Sequence, residues 1–255
     1  MPSRVLGVIP ARFASSRFPG KSLARIAGKS MLQHVWERAC MARYLSKVII
    51  ATDDERIADE ARSFKALVRM TRADHPTGTD RVAEAASADS AEYVVNIQGD
   101  EPLIDPSAVD ALILSLLGDS ELPMGTLKKR IEMPDEIDNP NVVKVVTDHY
   151  GNALYFSRCS IPFIRDDAER KRAVHFKHIG LYIYQREFLL GYSSLDPGPL
   201  EQFERLEQLR ALENGYKIRV VETEYESLGV DTPADLERVS ALFQMTEGRD
   251  LHGGR

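Results

Sequence analysis

Six consecutive apolar residues, Val5–Pro10 (VLGVIP), open the ordered reading of this chain, and they end in a loop dense with cations and glycine. An unbroken apolar run closed by proline predicts a strand buried on both faces, as in a parallel sheet. The pattern then repeats. Met31–Tyr44 carries apolar residues at helical spacing with Ser30 as N-cap. Val48–Thr52 predicts a second strand, Asp53–Phe64 a helix, Ala66–Met70 a short strand, Asp80–Ala88 a helix, and Tyr93–Ile97 another buried strand. A helix from Pro106 through Leu117 follows. Strand and helix in alternation predict an α/β fold with a doubly wound, mostly parallel sheet, whose ligands bind along the strand C-termini.

The second half is less regular. Val142–Thr147 and Leu154–Ser157 flank a turn signal and predict a hairpin. Lys177–Tyr184 predicts a strand, Leu200–Asn214 a helix closed by Gly215, and Lys217–Thr223 a strand. The last helix is expected over Pro233–Met245 behind Thr232, followed by a frayed tail. With 255 residues and no low-complexity linker, one domain is expected, with a smaller β-rich lobe at about 123–185.

A net charge of -6 argues against a nucleic-acid binder. The two cysteines, Cys40 and Cys159, form no metal or disulfide pattern. Cys40 falls in an apolar helical pattern and is expected in the core. No stretch approaches the roughly 20 apolar residues that span a bilayer, and the N-terminal run is too short for a signal peptide. A cytoplasmic location is expected.

Four segments carry chemistry. The loop after the first strand gathers Arg12, Ser16, Arg17, Gly20 and Lys21, the donors and positive charge that a triphosphate needs; a solvated basic turn is the alternative. It contains neither the glycine pattern of a dinucleotide site nor that of a Walker loop. Gln98, Gly99 and Asp100 end a buried strand, where one or two carboxylates plus substrate phosphates suit magnesium; a turn aspartate before Pro102 is the alternative. Asp231 precedes a helix and either supports its N-terminus or faces Asp100 across one metal site. In HPTGTDR (residues 75–81), hydroxyls, a glycine and a helix start suit a phosphate or nucleobase edge, and Thr79 is a candidate cap.

Together, the strings IPARFASSRFPGKSL, ATDDERI, HPTGTDR, VVNIQGDEP, NPNVVKVV, YFSRCSIPF, KHIGLYIY, LEQLRALENG and GVDTPADL resemble the sugar-activating cytidylyltransferases. Within them, the chain is most similar to the 3-deoxy-manno-octulosonate (Kdo) cytidylyltransferases, over about Val5 to Leu242. The resemblance implies a GT-A-like nucleotidyltransferase fold and CTP held by Arg12, Ser16, Arg17, Lys21, Thr77, Gly78, Arg81, Gln98 and Gly99. It implies Mg2+ held by Asp100 and Asp231, with Lys21 and Arg17 acting in catalysis. The acid sugar would meet Gln98, Arg158, His178, Tyr182, Glu207 and Gln208, and the chain would form a homodimer through its β-rich lobe. Read from the residues alone, His178 and Tyr182 share a strand face that equally well packs, and Glu207 and Gln208 would be solvated. Arg158 suits a carboxylate. A related acid sugar, or a nucleotide sensor without catalysis, are the competing expectations.

Overall fold

The computed structural model describes residues 4–14, 18–170 and 172–250. Strand β1 (Val5–Ala11) is buried along nearly its whole length because parallel strands flank it on both sides, β4 (Lys47–Thr52) and β6 (Tyr93–Asn96). Beyond β4 lies β5 (Leu67–Met70), also parallel. Between them run α1 (Met31–Ala39), α2 (Glu55–Ser63) and α3 (Gly78–Ser87), and α4 (Pro106–Leu117) follows β6. A small hairpin, β2 (Arg25–Ile26) with β3 (Lys29–Ser30), precedes α1. Each helix start is chemically marked. Ser30 accepts from the Gln33 N–H, Asp54 caps α2, Thr77 and Asp80 form a capping box on α3, and Asp105 caps α4 with Pro106 in its first turn.

The other half of the sheet is mixed. Strand β7 (Met124–Arg130) pairs antiparallel with β10 (Phe176–Gln185), which pairs antiparallel with β6. Strand β11 (Ile218–Glu222) closes the edge parallel to β7. The nine-stranded sheet runs β11-β7-β10-β6-β1-β4-β5, with the hairpin β8 (Lys144–Thr147) and β9 (Ala153–Ser157) attached to β10 off this path. Thus β7 and β10, from the stretch 123–185, are integral to the main sheet, and the β8–β9 hairpin joins it through β10 and packs Val145 and Phe156 into one of its cores. The basic stem of β7 (Lys128, Lys129, Arg130) hides its strand character in the sequence.

Apolar cores cover both faces of the sheet. One collects Leu32, Val35, Ile57, Val109 and Leu112 from α1, α2 and α4. The other collects Val82 and Ala85 from α3, Leu189 from α5 (Arg186–Tyr192) and Leu209 from α7 (Leu209–Glu213). A third, around Ile26, Met31, Val230 and Val239, docks α8 (Pro233–Asp250) beside the β2–β3 hairpin.

Three expectations are corrected. The predicted helix 200–214 is two, α6 (Pro199–Glu204) and α7, broken at Arg205 with φ at 54°. The Glu204 carboxylate accepts from the Ser157 hydroxyl and the Arg158 N–H, which ends α6 against β9. Helix α8 continues past Met245 to Asp250. Cys40 is exposed at the C-cap of α1, since the helix ends before that position turns inward.

Candidate active site

Two loops at the C-terminal ends of β1 and β6 meet the segment before α8. The Val230 N–H donates to the Asp100 carbonyl at 2.9 Å and so ties the third segment to the second. That tie brings two carboxylates to one cation. Lys21 Nζ lies 2.6 Å from Asp100 Oδ2 and 3.0 Å from Asp231 Oδ1, and it also donates to the Val230 carbonyl at 3.2 Å. Burial works against the Lys21 charge, but the two carboxylates outweigh it and hold its pKa above the ordinary lysine value.

The sequence left open whether Asp231 supports a helix. That work falls to its neighbours: Thr232 Oγ1 accepts from the Asp235 N–H, and the Asp235 carboxylate accepts from the N–H groups of Asp231 and Thr232. Asp231 can therefore face Asp100. Glu101, next to Asp100, is buried instead. It accepts from the Tyr225 hydroxyl at 2.7 Å, and burial raises its pKa. Its role is to anchor the loop. Gly99 lets that loop lie against β1, since a Cβ there would sit 2.9 Å from the Pro10 carbonyl oxygen.

The cleft between these loops has a volume of about 310 Å³, and Arg12, Lys21, Thr77, Gly78, Arg81, Gln98, Gly99, Asp100 and Asp231 all line it. The expected CTP and metal residues thus converge, apart from Ser16 and Arg17, which lie outside the described residues. The ends of their loop are fixed. The Arg56 guanidinium, itself held by Asp54, covers the Phe13 ring at 3.3 Å, and the Gly20 N–H donates to the Phe13 carbonyl. Arg81 is buried, ion-paired with Asp53 at 3.0 Å, and donates to Thr71 Oγ1. Thr77, not Thr79, caps α3; Thr79 is buried and hydrogen-bonded to Glu207.

The expected sugar residues, Gln98 apart, gather beside this cleft rather than on its walls. His178 and Tyr182 share one face of β10, their ring centroids 5.5 Å apart, with Phe156 edge-on to His178. His178 Nε2 lies 2.9 Å from Thr126 Oγ1, whose single proton goes to the carbonyls of Ile179 and Leu181. With that proton directed to either carbonyl, His178 donates through Nε2–H and Nδ1 is left as an acceptor. A sliver of the residue is accessible, but the sunken ring loses its charge readily: burial lowers its pKa to about 3. Burial likewise raises the Tyr182 pKa and the Glu207 pKa, the latter opposed by the Thr79 hydrogen bond and by Arg210. Glu207 and Gln208 are carried inward by the break at Arg205, so neither is the solvated helix residue its sequence suggests.

Arg158 is placed differently. Its guanidinium donates to the carbonyls of Glu204 (2.7 Å), Pro140 (2.9 Å) and Arg205 (3.4 Å), joining the β8–β9 hairpin to the helix break. Sequence reasoning missed its partner Lys144, fully buried with Nζ donating to the carbonyls of Asn139, Val142 and Arg158. It also missed Asn96, for which the only signal was its place two residues before Gln98.

A basic loop, two facing aspartates and an α/β cleft define the class of a nucleotide-binding transferase. The cytidylyltransferase family model matches residues 6–218. A 3-deoxy-manno-octulosonate cytidylyltransferase from Solibacter usitatus is 70% identical over 96% of each chain. One from Geobacter metallireducens is 54% identical over 92% of this chain and 96% of its own. A solved CMP:2-keto-3-deoxy-manno-octonic acid synthetase complexed with CTP superposes with a TM-score of 0.91 at 44% identity, covering 96% of this chain and all of that one. The chain belongs to the cytidylyltransferase family, and within it to the 3-deoxy-manno-octulosonate cytidylyltransferases.

Proposed function

We propose that this enzyme transfers CMP from CTP to the anomeric hydroxyl of Kdo, releasing pyrophosphate, in the cytoplasmic supply of lipopolysaccharide precursors. The observation that carries this reading is the convergence of Lys21, Asp100 and Asp231 in a cleft lined by the phosphate-loop and HPTGTDR residues. The names of the relatives and the CTP complex of the 44% identical structure support the choice of substrates.

The donor set fits magnesium. Asp100 and Asp231 already converge on one cationic centre, the Lys21 ammonium. Among the described residues, no group of three or more His, Cys, Asp or Glu forms a fuller cage. Two carboxylates with the remaining positions left to phosphate oxygens and water is the coordination magnesium favours. When bound there, the ion would neutralise phosphate charge and lower the pKa of an attacking hydroxyl.

The protein's own work is positioning. The sugar oxygen attacks the α-phosphorus in line, the bond to the bridging oxygen breaks, and pyrophosphate carries the electron pair away. Lys21 and Arg12, which line the same cleft, neutralise the triphosphate and leaving group, and we assign Arg17 to the same task. Gln98 borders both substrates. His178, held neutral, serves as an acceptor for a sugar hydroxyl rather than as a cation. We assign Arg158, Tyr182, Glu207 and Gln208 to the same sugar site, with Arg158 exchanging a carbonyl partner for the sugar carboxylate. We also assign the 123–185 segment to a homodimer interface.

Pyrophosphate release with magnesium and CTP, with Kdo, 8-amino-Kdo, sialic acid or no sugar added, tests the reading. Release with Kdo alone is expected. Release only with another sugar would keep the nucleotide site and refute the acceptor, and CTP binding without release under any condition would refute catalysis.

A further inference from the structure

Asn96 ends β6 at the point where the nucleotide cleft gives way to the His178–Tyr182 face. It is 3% exposed, yet among the described residues its Oδ1 has no hydrogen-bond partner. Burying an amide oxygen without a partner opposes folding, so a position like this implies a group that arrives later. The strand sets its direction. Val95 packs into the core under α1 and α4, while Val94 packs into the opposite one with Tyr182 and Tyr184. Side chains alternate along a strand, so Asn96 projects to the side of Val94. It is the register partner of Tyr182. Two residues further on, Gln98 lines the nucleotide cleft.

A second buried orphan belongs to the same region. Gln208 is 5% exposed, and among the described residues its Nε2 also lacks a partner. It neighbours Glu207, whose charge is felt by Tyr182. An acceptor on the sheet and a donor on the broken helix are thus both left unmet among the described residues. A hydroxyl can satisfy both kinds of atom, because it donates once and accepts twice. An apolar ligand satisfies neither.

We propose that Asn96 is a sugar-recognition residue whose Oδ1 accepts a hydrogen bond from a hydroxyl of the acid sugar, on the same face as the Gln208 donor. This rests on reading the His178–Tyr182 face as the acid-sugar site. Because Asn96 lies between that face and Gln98, it positions the sugar relative to the nucleotide and does not itself take part in bond making.

The test is steady-state pyrophosphate release by Asn96→Leu, similar in size but unable to hydrogen-bond, and by Asn96→Ser. With each substrate varied in turn, the KM for Kdo should rise about 10–100-fold in the leucine variant and less in the serine variant, while the KM for CTP stays unchanged. Equal rises in both KM values would overturn the proposal. So would a lowered melting temperature with the Kdo KM unchanged, which would give Asn96 a buried water instead. Should the leucine variant not fold, the serine variant carries the kinetic test. In wild-type protein, the Asn96 side-chain amide resonance should shift on adding Kdo, and its constancy at saturation would overturn the assignment. Wild-type protein that releases pyrophosphate with none of the sugars would overturn the functional reading and this proposal together. Normal wild-type turnover with unaffected variants would overturn Asn96 alone.

Discussion

Asp100 and Asp231 lie 131 positions apart in number, yet both touch one ammonium, and that contact makes the sharpest residue-level prediction. Asp100→Asn keeps the shape but removes the charge that Lys21 and the proposed metal ion require. Turnover should fall on the order of a hundred- to a thousandfold, with circular dichroism and melting behaviour little changed. A near-normal rate would remove Asp100 from the metal site. His178 makes a second prediction, in pH. The unfolded chain takes up the His178 proton below about 6.5, while the folded chain resists until about 3. Between those values the unfolded state binds more protons, so stability falls as pH falls. From pH 7.5 to about 5.5, His178→Gln should therefore lose less stability than wild type, by about 1.4 kcal/mol, in urea titrations at the two pH values. An identical loss in both would show that the ring protonates freely. At this scale the sequence was legible where chemistry sits at a strand end: Lys21, Gln98 and Asp100 could be placed from the apolar runs before them. Asp231 could not, because its orientation depends on the Val230–Asp100 backbone bond and on Asp235 taking over the cap. Asn96 and Lys144 were invisible, since a buried polar side chain looks like any other until its surroundings are known.

Elements were legible to the degree that their signals are local. The first four helices start where a Ser, Asp or Thr cap stands before a periodic run, and β1, β4 and β6 follow apolar runs. The helix expected over 200–214 shows the limit. Its period is unbroken in sequence, but long-range bonds override it. Glu204 turns to β9, and Glu213 caps the start of α6 by accepting from the N–H groups of Leu200 and Glu201. The residue at the break, Arg205, is exposed and pays for its left-handed conformation with steric strain. Arg205→Gly should relieve that strain and stabilise the fold by about 0.5–1 kcal/mol, seen as a higher urea midpoint with unchanged slope. Because the break carries Glu207 and Gln208 inward, the Kdo KM should stay at its wild-type value in this variant. A destabilised Arg205→Gly would mean that the arginine side chain, not the backbone turn, holds the two helices apart.

At the scale of the whole molecule, the surface poses the remaining question. The 160–175 loop beside β7 carries Phe163 at 80% exposure, with Met133 at 64% and Val174 also open, around a groove lined by Pro134, Ile137 and Pro162. A monomer with a net charge of -6 has no reason of solubility to present a phenylalanine so fully to water. The patch gathers the loop between β7 and β8 and the loop between β9 and β10. These loops are reached from the proposed sugar site through Arg158, whose guanidinium binds the carbonyl of Pro140 on one side and that of Glu204 on the other. If two copies meet through this face, sedimentation should report twice the 28.6 kDa of one chain. The melting temperature should then rise with protein concentration, because association favours the folded state by mass action. Phe163→Asp places a charge in the centre of the patch and should shift the protein to the monomer. Among the described residues, the nucleotide cleft is lined by the end of β1 and its loop, the loop after β6, the segment entering α3 and the segment before α8, so CTP affinity should survive in that monomer. The proposed sugar site is tied to the hairpin by Arg158, so the Kdo KM should rise while the CTP KM holds. A wild-type protein that sediments as a single chain at all concentrations would refute the dimer, and a monomeric Phe163→Asp with wild-type Kdo kinetics would show that the interface supports the fold without reaching the site.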